Sequence, residues 1–202
     1  MKTRFIYLVR HGQYQHLEYD REKEGGLTVV QANELDGGLT SIGIEQTQLT
    51  AQRLSLLPIS AIHCSTLPRA VETTEIVARE FPAIPVQRSR VLRECIPCVP
   101  PSLAEYFAQA FVGDLSQGRK QAERAFDKCF KRTRVKDKHE IVVCHGNLIR
   151  YFVCRILQAP PESWVNMNSY NCGISEVRVE PDGLVSLVSY NDVGHLPYHL
   201  RT

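Results

Sequence analysis

Apolar residues fall in short clusters along the chain, and the spacing within them switches between two periods. Phe5 to Val9 is a compact apolar run rich in strand formers that stops at Arg10-His11-Gly12. From Thr40 to Leu57 the apolar positions recur at helical intervals, with Ile44, Ala51 and Leu54 on one face and Thr40 or Ser41 placed to cap the first turn. Ala61 to Cys64 returns to the strand pattern. Ala70 to Phe81 is helical and is stopped by Pro82. A proline-rich loop runs from Val86 to about Ser102. Leu103 to Val112 and Arg119 to Lys131 then have helical spacing, the second carrying Ala122, Ala125, Phe126 and Cys129 at helical offsets. Ile141 to Cys144 is an apolar strand, followed at once by a helical pattern from Leu148 to Leu157. Gly173 to Val179 and Leu184 to Tyr190 alternate on either side of Glu180-Pro181-Asp182-Gly183, a hairpin signal.

Strands that alternate with helices imply an α/β fold around a mostly parallel sheet, with the last hairpin adding an antiparallel edge strand. No repeat, low-complexity tract or linker divides the chain, so a single domain over residues 1–202 is expected. In such sheets ligands bind beyond the carboxyl ends of the strands. That rule selects three places: His11 and His145, each directly after a strand, and Ser65 to Arg69 after a third.

Composition narrows the classes of function. The 202 residues are 43% apolar and 23% charged, ordinary values for a soluble globular protein. A net charge of +2 gives no basic field for nucleic acid or an anionic membrane. The first apolar run is too short for a signal-peptide core or a membrane span, and no later stretch reaches membrane length. A cytoplasmic protein with no visible address tag is expected. The 7 cysteines are odd in number and sit in apolar segments, which reads as buried, reduced thiols. Cys95-Ile96-Pro97-Cys98 lacks the second pair that a structural zinc site needs.

The chemistry-bearing residues lie at the strand ends. Arg10 offers planar, paired donors suited to phosphate oxygens. His11 can act as a nucleophile through a ring nitrogen. Gly12 permits an unusual backbone conformation and a close ligand approach. Arg69 falls where a helix begins, a position that favours anions and makes a bare arginine unfavourable. His145-Gly146 repeats the strand-His-Gly-helix arrangement of the first motif. Glu94, in Leu92-Arg93-Glu94, is a carboxylic acid able to protonate a leaving oxygen.

In this order, Leu8-Val9-Arg10-His11-Gly12-Gln13, Leu39 to Gln46, Ser65 through Arg69 to Thr74, Leu92-Arg93-Glu94 and Cys144-His145-Gly146-Asn147 resemble the histidine phosphatase superfamily, also called phosphoglycerate mutase-like. Residues 141–164 and the hairpin after them are most similar to its mitochondrial protein-serine/threonine phosphatase branch. The resemblance implies a three-layer sandwich, a central and mostly parallel sheet flanked by helices. It implies a metal-independent phosphatase, without cofactor, that hydrolyses phosphate monoesters through a phosphohistidine on His11. His11, Glu94 and His145 would be catalytic, and Arg10, Arg69, His145, Gln13 and Gly146 would bind phosphate. The membrane segment and oligomerising motif that precede the catalytic domain in that branch are not expected here. The segment from Gln13 to Leu39 and that from Pro97 to Arg119 are expected to form the rim of the site.

The expected partner is a phosphorylated substrate, either a phosphoprotein or a small phosphate ester, with no nucleic acid and no membrane; a homodimer is left open. Three rival readings remain. A phosphoglycerate mutase would share the pocket and return the phosphate to an acceptor. A non-catalytic phospho-ligand binding module would share the fold. A metal-dependent hydrolase would need ligands from among His63, His145, His195, His199 and the cysteines, none of which has the short spacings of a metal site.

Overall fold

The structure is a computed structural model in which residues 2–16, 36–111, 114–133 and 136–202 are described. Strand β1 is Arg4–Arg10, β4 is Ala61–Ser65, β5 is Val86–Ser89 and β6 is Lys138–Cys144; β7 is Ile174–Val179 and β8 is Val185–Asp192. They form a sheet in the order β5-β4-β6-β1-β7-β8. β1, β4, β5 and β6 are mutually parallel, and β7 is antiparallel to both β1 and β8. The reversed strand of the hairpin is therefore the inner one, against β1, and β8 at the edge runs with the parallel set. A second, small pairing that the apolar pattern did not suggest joins β2, Tyr14–His16, to β3, Asp36–Leu39.

Alternation along β1 divides the core in two. Ile6 and Leu8 face one side with Val142, Cys144 and Val177. That side is covered by α4, Ser116–Cys129, and α5, Gly146–Ile156. Tyr7 and Val9 face the other side with Ile62, Ile141 and Val143. There the cover is α1, Ser41–Ser55, and α2, Pro68–Ala78. The result is the helix-sheet-helix sandwich expected. A short α3, Ala104–Ala110, sits outside it, where Ile96, Phe107, Cys154 and Trp164 form a small separate apolar cluster.

Helix α1 corrects one reading of the pattern. Thr40 does cap it, accepting from the Gly43 amide at 3.0 Å. Its buried face, however, is Gly43, Gln46, Thr47, Thr50, Ala51 and Leu54, and Ile44 is 41% exposed. The arc is centred on polar and small residues, so the apolar positions mark only its edge. Helix α2 begins two residues earlier than its apolar pattern, because Pro68 occupies the first turn, where a missing amide is harmless. The β7–β8 turn closes as expected, with Gly183 at φ +99° and the Glu180 amide donating to Leu184 at 2.8 Å.

All seven cysteines are free thiols, six of them buried and Cys98 half-buried. Among the described residues no group of three or more His, Cys, Asp or Glu is placed to hold a metal ion, and no helix is long and apolar enough to cross a membrane.

Candidate active site

β1 and β6 are neighbours in register, with Arg10 opposite Cys144, so the residues that follow them emerge side by side. This brings the His11 and His145 rings to a centroid separation of 5.1 Å. β4 ends next to β6, and its last residue, Ser65, lies with Oγ 2.7 Å from Nε2 of His145. The same Oγ accepts from the Leu67 amide at 3.2 Å. Pro68 then starts α2, whose second residue is Arg69. Its side chain is buried and its Nε donates to Nε2 of His11 at 3.2 Å. Glu94 arrives from the segment after β5, where it is held by two backbone amides, Cys95 to Oε1 at 3.2 Å and Asn147 to Oε2 at 3.4 Å.

The tautomer of His11 follows from its partners. Nδ1 is 2.8 Å from the carbonyl oxygen of Gly12, which can only accept, so Nδ1 carries the proton. Nε2 is left with the lone pair, and that is the nitrogen Arg69 addresses. Burial, and then the charges of Arg10 and Arg69, hold the His11 pKa well below the usual histidine value. His145 is lowered well below it too, by burial first and then by His11 and the two arginines. Both rings are neutral near pH 7. Glu94 is shifted the other way. Its desolvation raises its pKa, and Arg69, the two amides and Arg10 pull against that rise.

Arg10 directs one guanidinium nitrogen to the Ser169 carbonyl, and its Nε is buried without a partner. Nδ1 of His145 is likewise buried and unpartnered. Gly146, at the first turn of α5, has no side chain, and a Cβ there would sit 3.4 Å from the Arg10 Nε. The helix N-terminus and the arginine thus meet closely.

Gly12 has a reason different from the one read in the sequence. Its φ is not positive, and a Cβ on it would lie 2.7 Å from the carbonyl oxygen of Gly43 in α1. A Cβ on Gly43 would lie 1.9 Å from the carbonyl oxygen of Gln13. The two glycines let the loop after β1 lie directly on α1; the close approach is to the helix. Gln13 belongs to the same joint. Its backbone amide donates to Gln46 Oε1 at 2.9 Å, and its side-chain oxygen accepts from Thr40 at 2.7 Å.

Several residues of the site were missed in the sequence. Tyr14 stands edge-on to His11, centroids 5.3 Å apart, and the Arg69 guanidinium lies 4.6 Å above its ring. Thr73 accepts from the Gly12 amide at 3.0 Å. Asn171 donates to the His11 carbonyl oxygen at 2.9 Å. Tyr14 stands three residues from His11, and Thr73 lies inside the Ser65–Thr74 motif, so both had a signal. Asn171 had none, because only the antiparallel pairing of β7 with β1 brings it near. The expected rim fares unevenly. Residues 17–35 of the first segment lie outside the described residues, while the second is tied to core by Trp164 Nε1, which donates to the Cys98 carbonyl oxygen at 3.0 Å. Of the proposed metal ligands, His195 bonds Thr50 at 2.9 Å, and His63 lies within β4.

A model of the histidine phosphatase superfamily (branch 1) matches residues 6–96 and 106–193. The chain belongs to that superfamily. The mitochondrial serine/threonine-protein phosphatase PGAM5 of Xenopus tropicalis is 38% identical over 200 residues, which cover 96% of this chain and 66% of that protein. This chain thus spans just under two thirds of that relative's length. A crystal structure of phosphoglycerate mutase from Plasmodium falciparum superposes with a TM-score of 0.63 at 28% identity, covering 98% of this chain and 96% of that one. Bacillus stearothermophilus YhfR gives a TM-score of 0.72 at 22% identity, covering 95% and 98%. These superpositions establish the phosphoglycerate mutase-like fold for this member of the superfamily.

The comparisons correct the expected cytoplasmic location. Relatives at this level of identity are named as mitochondrial phosphatases. The expectation rested on the lack of a visible address tag, which does not place a protein.

Proposed function

We propose that this histidine phosphatase hydrolyses phosphate monoesters through a phosphohistidine on His11, that its substrates are phosphoserine and phosphothreonine in proteins, and that it works in mitochondria. The observation that carries the reading is the 3.2 Å contact of Arg69 Nε with His11 Nε2, on a ring whose other nitrogen is committed to Gly12. It supplies a neutral nucleophile with a cation already at the point of attack.

In the first step the Nε2 lone pair of His11 attacks phosphorus, and the bond from phosphorus to the ester oxygen breaks. Arg69 gives up its hydrogen bond to Nε2 and turns its donors to the phosphoryl oxygens. Arg10, through its unpartnered Nε, and His145 share that charge. In this reading Ser65, whose Oγ already accepts from the Leu67 amide, donates to Nε2 of His145, and the proton of that ring on Nδ1 serves as a donor. Glu94, whose desolvation keeps it protonated above the ordinary carboxylate range, gives its proton to the leaving oxygen. In the second step Glu94 takes a proton from water, whose oxygen attacks phosphorus. The bond to His11 breaks and inorganic phosphate leaves. The N-terminal turn of α5, opened by Gly146, adds backbone donors to the same anion. Gln13 acts by holding the loop that carries His11 against α1.

The protein-phosphatase assignment is supported by similarity to relatives of that name over nearly the whole chain. A mutase reading draws on the Plasmodium falciparum structure. Purified protein in excess EDTA is to be offered phosphoserine and phosphothreonine peptides beside 3-phosphoglycerate. Release of inorganic phosphate from the peptides supports the reading. Phosphate passed between phosphoglycerates, with the peptides untouched, replaces it by the mutase.

A further inference from the structure

The amino ends of β1, β4 and β6 border a cavity of about 460 Å³ beneath α4, inside the range of about 300–1,000 Å³ typical of small-molecule sites. Arg4 lines it, and Arg4 and Arg10 are the two ends of β1, about 20 Å apart at about 3.3 Å per residue.

The floor is apolar, with Leu92 and Val142 nearly fully buried and Cys129 beside them. Over it, Arg4 and Glu140 neutralise each other, the Arg4 Nε donating to Glu140 Oε2 at 2.7 Å. Among the described residues Glu140 is the only carboxylate in the lining. That leaves Lys128, Lys131, Arg132 and Lys138 around the opening. Among the described residues none of these four is ion-paired; Lys128 donates to Ser89 Oγ at 2.9 Å, and Arg132 makes a long 3.5 Å contact with the Asp182 carbonyl. Asp137, next to Lys138, is engaged by the Thr3 amide. The half-buried His63 ring, held neutral by desolvation, adds a polar group without adding charge.

Among the described lining residues these four cations face no carboxylate except Glu140, which Arg4 already engages, although Asp127 and Asp182 share the adjoining hollow with Lys131 and Arg132. A ligand that offsets the four cations must bring negative charge to the opening and hydrocarbon to the floor. We propose that this cavity is a second ligand site, selective for a small organic anion with an apolar body, such as an aromatic carboxylate, sulfonate or phosphate. The site is independent of the phosphate pocket and of the reaction assigned to it.

The test is a fluorescence titration with 8-anilinonaphthalene-1-sulfonate in saturating inorganic phosphate, beside its uncharged relative N-phenyl-1-naphthylamine. Saturable binding of one sulfonate per chain is expected, unchanged in His11→Ala, with the uncharged probe at least about tenfold weaker. The double variant Lys131→Glu/Lys138→Glu should weaken sulfonate binding by at least about tenfold. Should that variant fail to fold, Lys131→Gln and Lys138→Gln, checked by near-ultraviolet circular dichroism, should each weaken it severalfold. Absence of saturable binding overturns the proposal. So does equal affinity for both probes, indifference to the lysine variants, or loss of binding in His11→Ala.

Discussion

Arg69 donates from Nε to the Nε2 of His11 across 3.2 Å, and both side chains are buried. The contact links a strand end to a helix start, 58 residues apart in sequence, and it sets the chemistry of both partners. Arg69 holds the lone pair in place and keeps a proton off it. The 4.6 Å stack on Tyr14 fixes the guanidinium for that purpose.

Arg69→Lys retains a charge but loses the planar fork and the stack. It should lower kcat/KM for para-nitrophenyl phosphate by about a hundredfold or more, and Arg69→Ala by more than Arg69→Lys. Removing the cation also raises the His11 pKa, since Arg69 is one of the charges that depress it. The acid limb of the pH–kcat/KM profile should therefore move to higher pH in Arg69→Ala. An unmoved limb would mean that the limb does not report His11.

Glu94→Gln cannot donate a proton. Its activity loss should be small for para-nitrophenyl phosphate, whose leaving group needs little help, and about a hundredfold or more for an alkyl phosphate. The wild-type alkyl-phosphate rate should fall as pH rises through the Glu94 pKa, which lies above its ordinary value of 4.5. That fall should vanish in the variant. Equal losses on both substrates would remove Glu94 from the role of acid.

The joint between the His11 loop and α1 is steric. Gly43→Ala places a Cβ 1.9 Å from a backbone oxygen, so the loop or the helix must shift. The expected loss is about 1–3 kcal/mol, a fall in Tm of roughly 2–4 °C for each kcal/mol, with reduced kcat. Ile44→Ala, one residue on at a 41% exposed position, should change stability by less than about 0.5 kcal/mol. Thermal melts of the two variants side by side decide it.

Stability should depend on pH through the two buried rings. The folded pKa values of His11 and His145 are depressed below 6.5, so in the window beneath 6.5 the unfolded chain binds more protons. Stability is then fully present above 6.5 and is lost as pH falls, at up to about 1.4 kcal/mol per pH unit for each ring. Glu94, raised above 4.5, opposes this with one group against two. Urea unfolding between pH 6.5 and 5 should show the decline, shallower in His11→Asn. A slope of the opposite sign would contradict the buried neutral rings.

Much of this architecture could be read from the sequence because each strand ended where its chemistry began. Arg10-His11 and His145 followed apolar runs short enough to be parallel strands, and the register of β1 with β6 then set them side by side. Arg69 was legible from its awkward place in a first turn. What escaped were contacts made through polar or small residues, which leave no period. The buried face of α1 runs through Gly43, Gln46, Thr47 and Thr50, so the apolar pattern put Ile44 there instead. Asn171, 160 residues from His11, becomes its neighbour only through β7, the one strand that reverses the sheet.

The central claim is that His11 itself takes the phosphate. Enzyme stripped with EDTA and mixed rapidly with 32P-labelled para-nitrophenyl phosphate should carry label that is lost in acid and kept in alkali. Steady turnover should persist in EDTA, and His11→Ala should show neither label nor turnover. Label stable in acid, label retained by His11→Ala, or turnover indifferent to His11 would contradict the account.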